Sequence, residues 1–271
     1  MEPVVTSEIK ILFDRFFTML RSIDEYNEKE LRGILMNQVL PTLREQCFLG
    51  NYLRSIANVK TLLKLTNVSD CQAVAMIARS IFETAIEIAL IDKIDRAPEK
   101  IVAFSEYERL RYAKRIIQFV EKHPDRATEV DLFQHKTFVD RDGARIDARQ
   151  REFWPNGKPT HWSQRDLRSR AELVGDDILE LYDSEYQIHS WYVHGGITGV
   201  INTREEFYVA MCGNSFRLAA ESYEAILESM ITVFQLYRTD SKLRAKLEYA
   251  KGVPFTEGTE QATELWKNVV G

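Results

Sequence analysis

The amino-acid sequence predicts an all-α protein: a helical bundle built around a long central helix at about 70–92, packed beside a helix at 177–194. Apolar residues recur at three- and four-residue spacing along most of the chain, and no segment sustains the alternation of a half-buried strand. With 271 residues, 45% of them hydrophobic and 28% charged, the composition is that of a globular protein and excludes disordered, collagenous and low-complexity classes. One large core is affordable at this length. The expected organisation is therefore a single domain over 1–271, with a core bundle at about 45–235, N-terminal helices at 1–44 and a peripheral tail at 239–271. No internal repeat is present.

The elements follow in order. Ile9, Leu12, Phe13, Phe16, Phe17 and Leu20 mark a first amphipathic helix, and the pattern continues over Leu31 to Leu65 with a kink or break at Pro41. Ser69 stands at an N-cap position before the central helix, Asp70 to Asp92, whose 23 residues would span about 34 Å. A further helix is expected over Pro98–Lys122 and a short one over Arg126–Lys136. From Thr137 to Thr160, Asp140-Arg141-Asp142-Gly143 and Trp154-Pro155-Asn156-Gly157-Lys158-Pro159 read as turns in a long loop. Ser163-x-x-Asp166 resembles a capping box opening a helix to about Val174. Asp177 to His194 reads as one helix closed by Gly195-Gly196, and Thr203-Arg204-Glu205-Glu206 opens a long helix to about Tyr237.

Charge and cysteine use restrict the function classes. The chain carries 36 Lys+Arg against 41 Asp+Glu, a formal charge of −5, so the whole protein is no general polyanion binder. Residues 109–170, however, hold 15 Lys+Arg and 9 Asp+Glu, a local excess of +6 that leaves −11 elsewhere. This basic segment is either a solvated helical face or the expected path for RNA. Cys47, Cys71 and Cys212 are widely spaced, lie in apolar segments and form no Cys-x-x-Cys pair, which suits buried thiols in a reducing, cytoplasmic setting. The start of the sequence lacks the pattern of a secretory signal. The most apolar stretch, Ala73–Ile91, contains Arg79, Glu83 and Glu87, so a core helix is expected and no membrane association.

Three constellations could carry chemistry. Arg79, Glu83 and Glu87 fall at i, i+4 and i+8 on one stripe of the central helix among Ile77, Ile81, Phe82 and Ile86. Buried charge requires a partner, so the stripe is either a reactive centre or an ion pair that fixes helix register. Tyr186, Ser190 and His194 repeat the spacing on the second helix, with His194 in the last turn, where the helix dipole favours imidazolium. A serine-hydrolase reading fits poorly, because no strained nucleophile turn is visible. The third is Lys158-Pro159-Thr160-His161-Trp162-Ser163, in which Trp162 could be a hydrophobic staple, or His161 and Trp162 could stack on a base. No metal site is expected: His189 and His194 are five apart and Glu185–His189 is a single pair. No cofactor is expected either, as Gly195-Gly196 lacks the Lys-Ser/Thr of a phosphate loop.

On Ala78-Arg79-Ser80-Ile81-Phe82-Glu83, His161-Trp162-Ser163 and Tyr186-x-x-x-Ser190-x-x-x-His194-Gly195, the chain resembles an uncharacterised bacterial family of helical proteins, a domain of unknown function, over about residues 45–235. That resemblance implies a fold and no activity. More remotely the chain is similar to the HEPN superfamily, whose active members are metal-independent RNases of toxin and anti-phage systems. Their hallmark is an Arg, four to six residues and a His on one helix; here no Arg stands at that distance before His161, His189 or His194, so Arg79 would supply the cation from another helix.

Two functions of different class follow. In the first, Arg79, Glu83, Ser190 and His194 form a catalytic centre for RNA cleavage, with Glu87, His161, Trp162 and Tyr186 binding substrate. In the second, the same polar cleft belongs to a non-catalytic module that recognises a protein partner or small ligand.

Overall fold

The computed structural model describes residues 7–39, 42–65, 70–126, 129–187, 189 and 205–256, and among them helix is the only regular secondary structure. The all-α expectation holds. Where the sequence reads as one domain, the chain divides into two compact units, one of residues 1–91 with 167–271 and the other of residues 92–166.

The first unit begins with α1 (Ser7–Tyr26), which runs through a π-helical turn, Asn27–Leu31, into the short α2 (Arg32–Met36). The extra residue of a π-turn turns Asn27 inward, where its side-chain oxygen accepts a 2.6 Å hydrogen bond from the buried Tyr52 hydroxyl. The break expected near Pro41 lies between α2 and α3 (Leu43–Leu62); Pro41 itself is outside the described residues. Thr42 caps α3: its hydroxyl accepts from the Glu45 N–H, and its own N–H donates to the Glu45 carboxylate at 3.1 Å. The central helix, α4 (Cys71–Leu90), is slightly shorter than expected, and its cap candidate Ser69 is outside the described residues.

After the second unit the chain returns as α7 (Leu167–Val174) and α8 (Asp176–Leu181), then α9 (Glu205–Val233) and α10 (Leu243–Thr256). Gly175, at φ 146°, supplies the backbone conformation that separates α7 from α8. The core lies where α9 packs on both α4 and α1: Ile81, Phe82, Phe216, Tyr223 and Leu20 have no exposed surface. The rings of Phe13 and Phe17 meet Phe216 edge-on at 5.3 and 5.2 Å. The long helix expected to reach Tyr237 stops at Val233, because Gln235 adopts a φ of 51°. The segment expected as a peripheral tail from 239 contributes α10, whose Leu243 and Leu247 are buried and whose Leu243 carbonyl accepts from Tyr26 at 2.8 Å. Residues beyond 256 lie outside the described residues.

The second unit is an antiparallel hairpin of α5 (Ala97–Lys122) and α6 (Glu129–Phe153). It corrects two expectations, since most of the short helix at 126–136 and the loop at 137–160 as far as Phe153 are one continuous helix. The turn-forming residues Asp140, Asp142 and Gly143 are absorbed because tertiary packing outweighs local propensity. Tyr107, Leu110 and Ile146 form a small core with Phe138 and Val139, and Gly143 lies against Leu110. Arg145 and Arg149 both reach Glu106 at 3.1 Å, and Lys114 reaches Asp147 at 2.9 Å. A helix-interior glycine costs about 1 kcal/mol, which such contacts offset.

Candidate functional site

The α4 stripe forms as the spacing predicts and gains partners that the spacing could not name. Arg79 Nε donates to Glu83 Oε1 at 2.8 Å. The Tyr186 hydroxyl donates to the same oxygen at 2.7 Å, while the Arg79 guanidinium lies 4.8 Å from the centre of the Tyr186 ring. Burial, reinforced by the Glu83 carboxylate, pushes the Tyr186 phenol well above its ordinary value, so it remains a proton donor. One turn further, Glu87 forms an ion pair with Arg170 of α7, with both side chains largely buried. Glu83 is about one-third exposed and Arg79 less so, which leaves the Arg79–Glu83–Tyr186 cluster open on one side.

The partner helix expected over 177–194 is helical over 176–187 and at 189, with α8 running into a π-helical turn, Tyr182–Tyr186. That turn inserts an extra residue, stacks Tyr182 on Tyr186 at 5.0 Å and carries Tyr186 against Phe82. Ser190, His194 and Gly195-Gly196 lie outside the described residues, as does Thr203-Arg204.

The sequence underrated His189. Its ring is buried, with Nδ1 2.6 Å from the Glu185 carbonyl, an acceptor that places the proton on Nδ1, and Nε2 2.9 Å from the Ser215 hydroxyl on α9. Burial lowers its pKa to about 4, so the ring is neutral near pH 7. The Glu185 side chain turns instead to Arg217 of α9. The pair considered as a fragment of a metal site thus joins the π-turn segment to α9 through two separate contacts. The signal that could have found this is Arg217, the only Lys or Arg between Glu205 and Val233, which needs an acid to answer it.

Two further expectations are corrected. Cys47 is only partly buried, whereas Cys71 and Cys212 are buried and their thiols hydrogen-bond each other, which shifts Cys71 down and Cys212 up. The Ser163-x-x-Asp166 box does not form, because the next helix starts at Leu167 and Ser163 Oγ instead meets His161 Nδ1 at 2.8 Å and accepts from the Arg165 N–H at 3.3 Å.

His161 and Trp162 belong to the second unit, where they order the chain after α6. Trp154 Nε1 donates to the Trp162 carbonyl at 3.2 Å, both indoles are buried, and the His161 ring lies 6.0 Å from Phe104 and 5.4 Å from Trp162. Trp162 acts as an anchor within this unit. The same connection walls a cleft of about 430 Å³ lined by Arg111, Lys114, Arg115 and Lys158. This collects part of the +6 segment into one concavity, which the linear charge count could not foresee.

Among known protein families, one family model matches residues 46–206, from α3 to the start of α9. The chain belongs to that family, the family of unknown function DUF5677. No curated protein and no solved structure shows significant similarity to the chain. No helix among the described residues is long and apolar enough to cross a membrane.

Proposed function

We propose that this protein is a metal-independent, HEPN-like RNase or RNA-processing protein of the kind used in bacterial defence. The observation that carries the reading is the Glu83 carboxylate shared by Arg79 and Tyr186, which fixes a cation on α4 beside the segment leading to Ser190 and His194. His194 takes the proton of a ribose 2′-OH, the 2′-oxygen attacks phosphorus, and the 5′-oxygen leaves with a proton returned to it, giving a 2′,3′-cyclic phosphate and a 5′-OH end. Arg79 stabilises the charge on the phosphorane, Glu83 and Tyr186 orient Arg79, and Ser190 positions His194. Glu87 serves substrate binding beside Arg79, and the basic segment 109–170 receives the phosphate backbone.

A second reading is favoured by a specific observation: Glu83 and Glu87 both already have cationic partners, as in a structural network. On that reading the protein is a non-catalytic helical module that binds a protein or small ligand. Incubating wild type and His194→Ala with a mixed RNA pool in EDTA, with melting curves for both, separates the two. Cleavage by wild type alone, at matched melting temperatures, supports the RNase. Absence of cleavage by either, with His194→Ala melting many degrees lower, supports the binding module.

A further inference from the structure

The cleft of the second unit has chemistry of its own, independent of the α4 cluster. Among the described residues four cations line it, and Asp147 is the only acid. Two of the four are already neutralised, Lys114 by Asp147 at 2.9 Å and Arg111 by Glu108 on its own helix. Arg115 and Lys158 have no ion-pair or hydrogen-bond partner among the described residues, although they come from different elements, α5 and the connection after α6. Two unneutralised charges across one cleft match a phosphomonoester, which carries about −1.5 to −2 at pH 7. A phosphodiester carries only one.

The rest of the lining is unlike a bare anion site. Tyr107, Leu110 and Pro159, all nearly buried, supply the apolar part of the lining. A volume of about 430 Å³ far exceeds what inorganic phosphate fills and falls in the range of small-ligand pockets. The connection after α6 is held in place before any ligand arrives: Gln150 Nε2 donates to the Gly157 carbonyl at 2.9 Å, and Trp154 Nε1 to the Trp162 carbonyl. Gly157, at φ 151°, supplies the turn that presents Lys158.

We propose that this cleft binds a nucleoside monophosphate, with its phosphate between Arg115 and Lys158 and its base on the Tyr107–Leu110–Pro159 surface. Titration calorimetry of the full chain with AMP, GMP, CMP and UMP tests it, using the matching nucleosides, inorganic phosphate and a single-stranded RNA oligomer as further probes. The expected result is one-site binding of at least one monophosphate, about tenfold or more tighter than its nucleoside or inorganic phosphate. Arg115→Glu with Lys158→Glu should weaken it by about tenfold or more at an unchanged melting temperature, as both side chains are exposed. His194→Ala should leave it intact, which separates this site from the RNase reading. Failure of all four monophosphates to bind, or affinity that survives the double charge reversal, overturns the proposal. Binding of the RNA oligomer without any monophosphate also overturns it and assigns the cleft to a polynucleotide backbone.

Discussion

In the first unit Arg170 and Glu87 meet with side chains 12% and 14% exposed, whereas in the second Arg96 and Glu152 meet at 2.9 Å with side chains 50% and 54% exposed. The chemistry is the same and the depth is not. A buried pair has already lost its hydration, so removing one partner strands the other, while an exposed pair returns both partners to water. The first unit therefore uses charge to fix how α4, α7, the π-turn segment and α9 sit together, through Glu87–Arg170, Glu83–Tyr186 and Glu185–Arg217. The second holds α5 to α6 with solvated pairs and a small core, and keeps two cations unneutralised in its cleft.

The largest expected effect breaks the buried side of this comparison. Glu87→Ala leaves Arg170 without its carboxylate and should cost about 3–5 kcal/mol in urea unfolding, with most of it recovered in Glu87→Leu/Arg170→Met. A loss below about 1 kcal/mol would put this pair on the same footing as those at the surface.

An intermediate effect comes from His189. Its pKa in the folded protein is about 4 against an ordinary 6.5, so the unfolded chain takes up the proton first. The stability tied to the neutral ring is complete above about pH 6.5 and is lost as pH falls toward 4, by about 3 kcal/mol in all. Urea midpoints across that window should fall in wild type, and His189→Gln should flatten this part of the dependence. An identical slope in the variant would assign the acid loss to other groups.

The smallest effect sharpens the exposed side. Glu152→Ala should change stability by less than about 1 kcal/mol, and raised salt should erase the difference. A loss as large as that of Glu87→Ala would mean that depth does not separate the two pairs.

How much was legible in the sequence follows the same division. The Arg79–Glu83 pair could be read directly, because i, i+4 spacing alone brings two side chains together on a helix. Tyr186 could be placed on a stripe, but its partner could not be named, since Glu83 lies 103 residues away. In the sequence Arg170 is one more charge in a basic segment and His189 is half of an incomplete metal pair, while the residues that give them their roles, Glu87 and Ser215, lie on other helices. Asp140–Gly143 reads as a turn because its local preference is for one, while Tyr107 and Leu110, against which this helix packs, belong to another element.

By itself, then, the sequence determined the all-α class, most helix positions and the polar stripe on α4, because helical periodicity and i, i+4 contacts are local properties of the chain. Tertiary structure alone decided the division into two units, the π-turn that delivers Tyr186 to Glu83, the burial that neutralises His189 and the concavity that gathers Arg115 and Lys158. Each of these depends on which distant residue removes water from, or brings charge to, a given side chain, and that is a property of the folded chain.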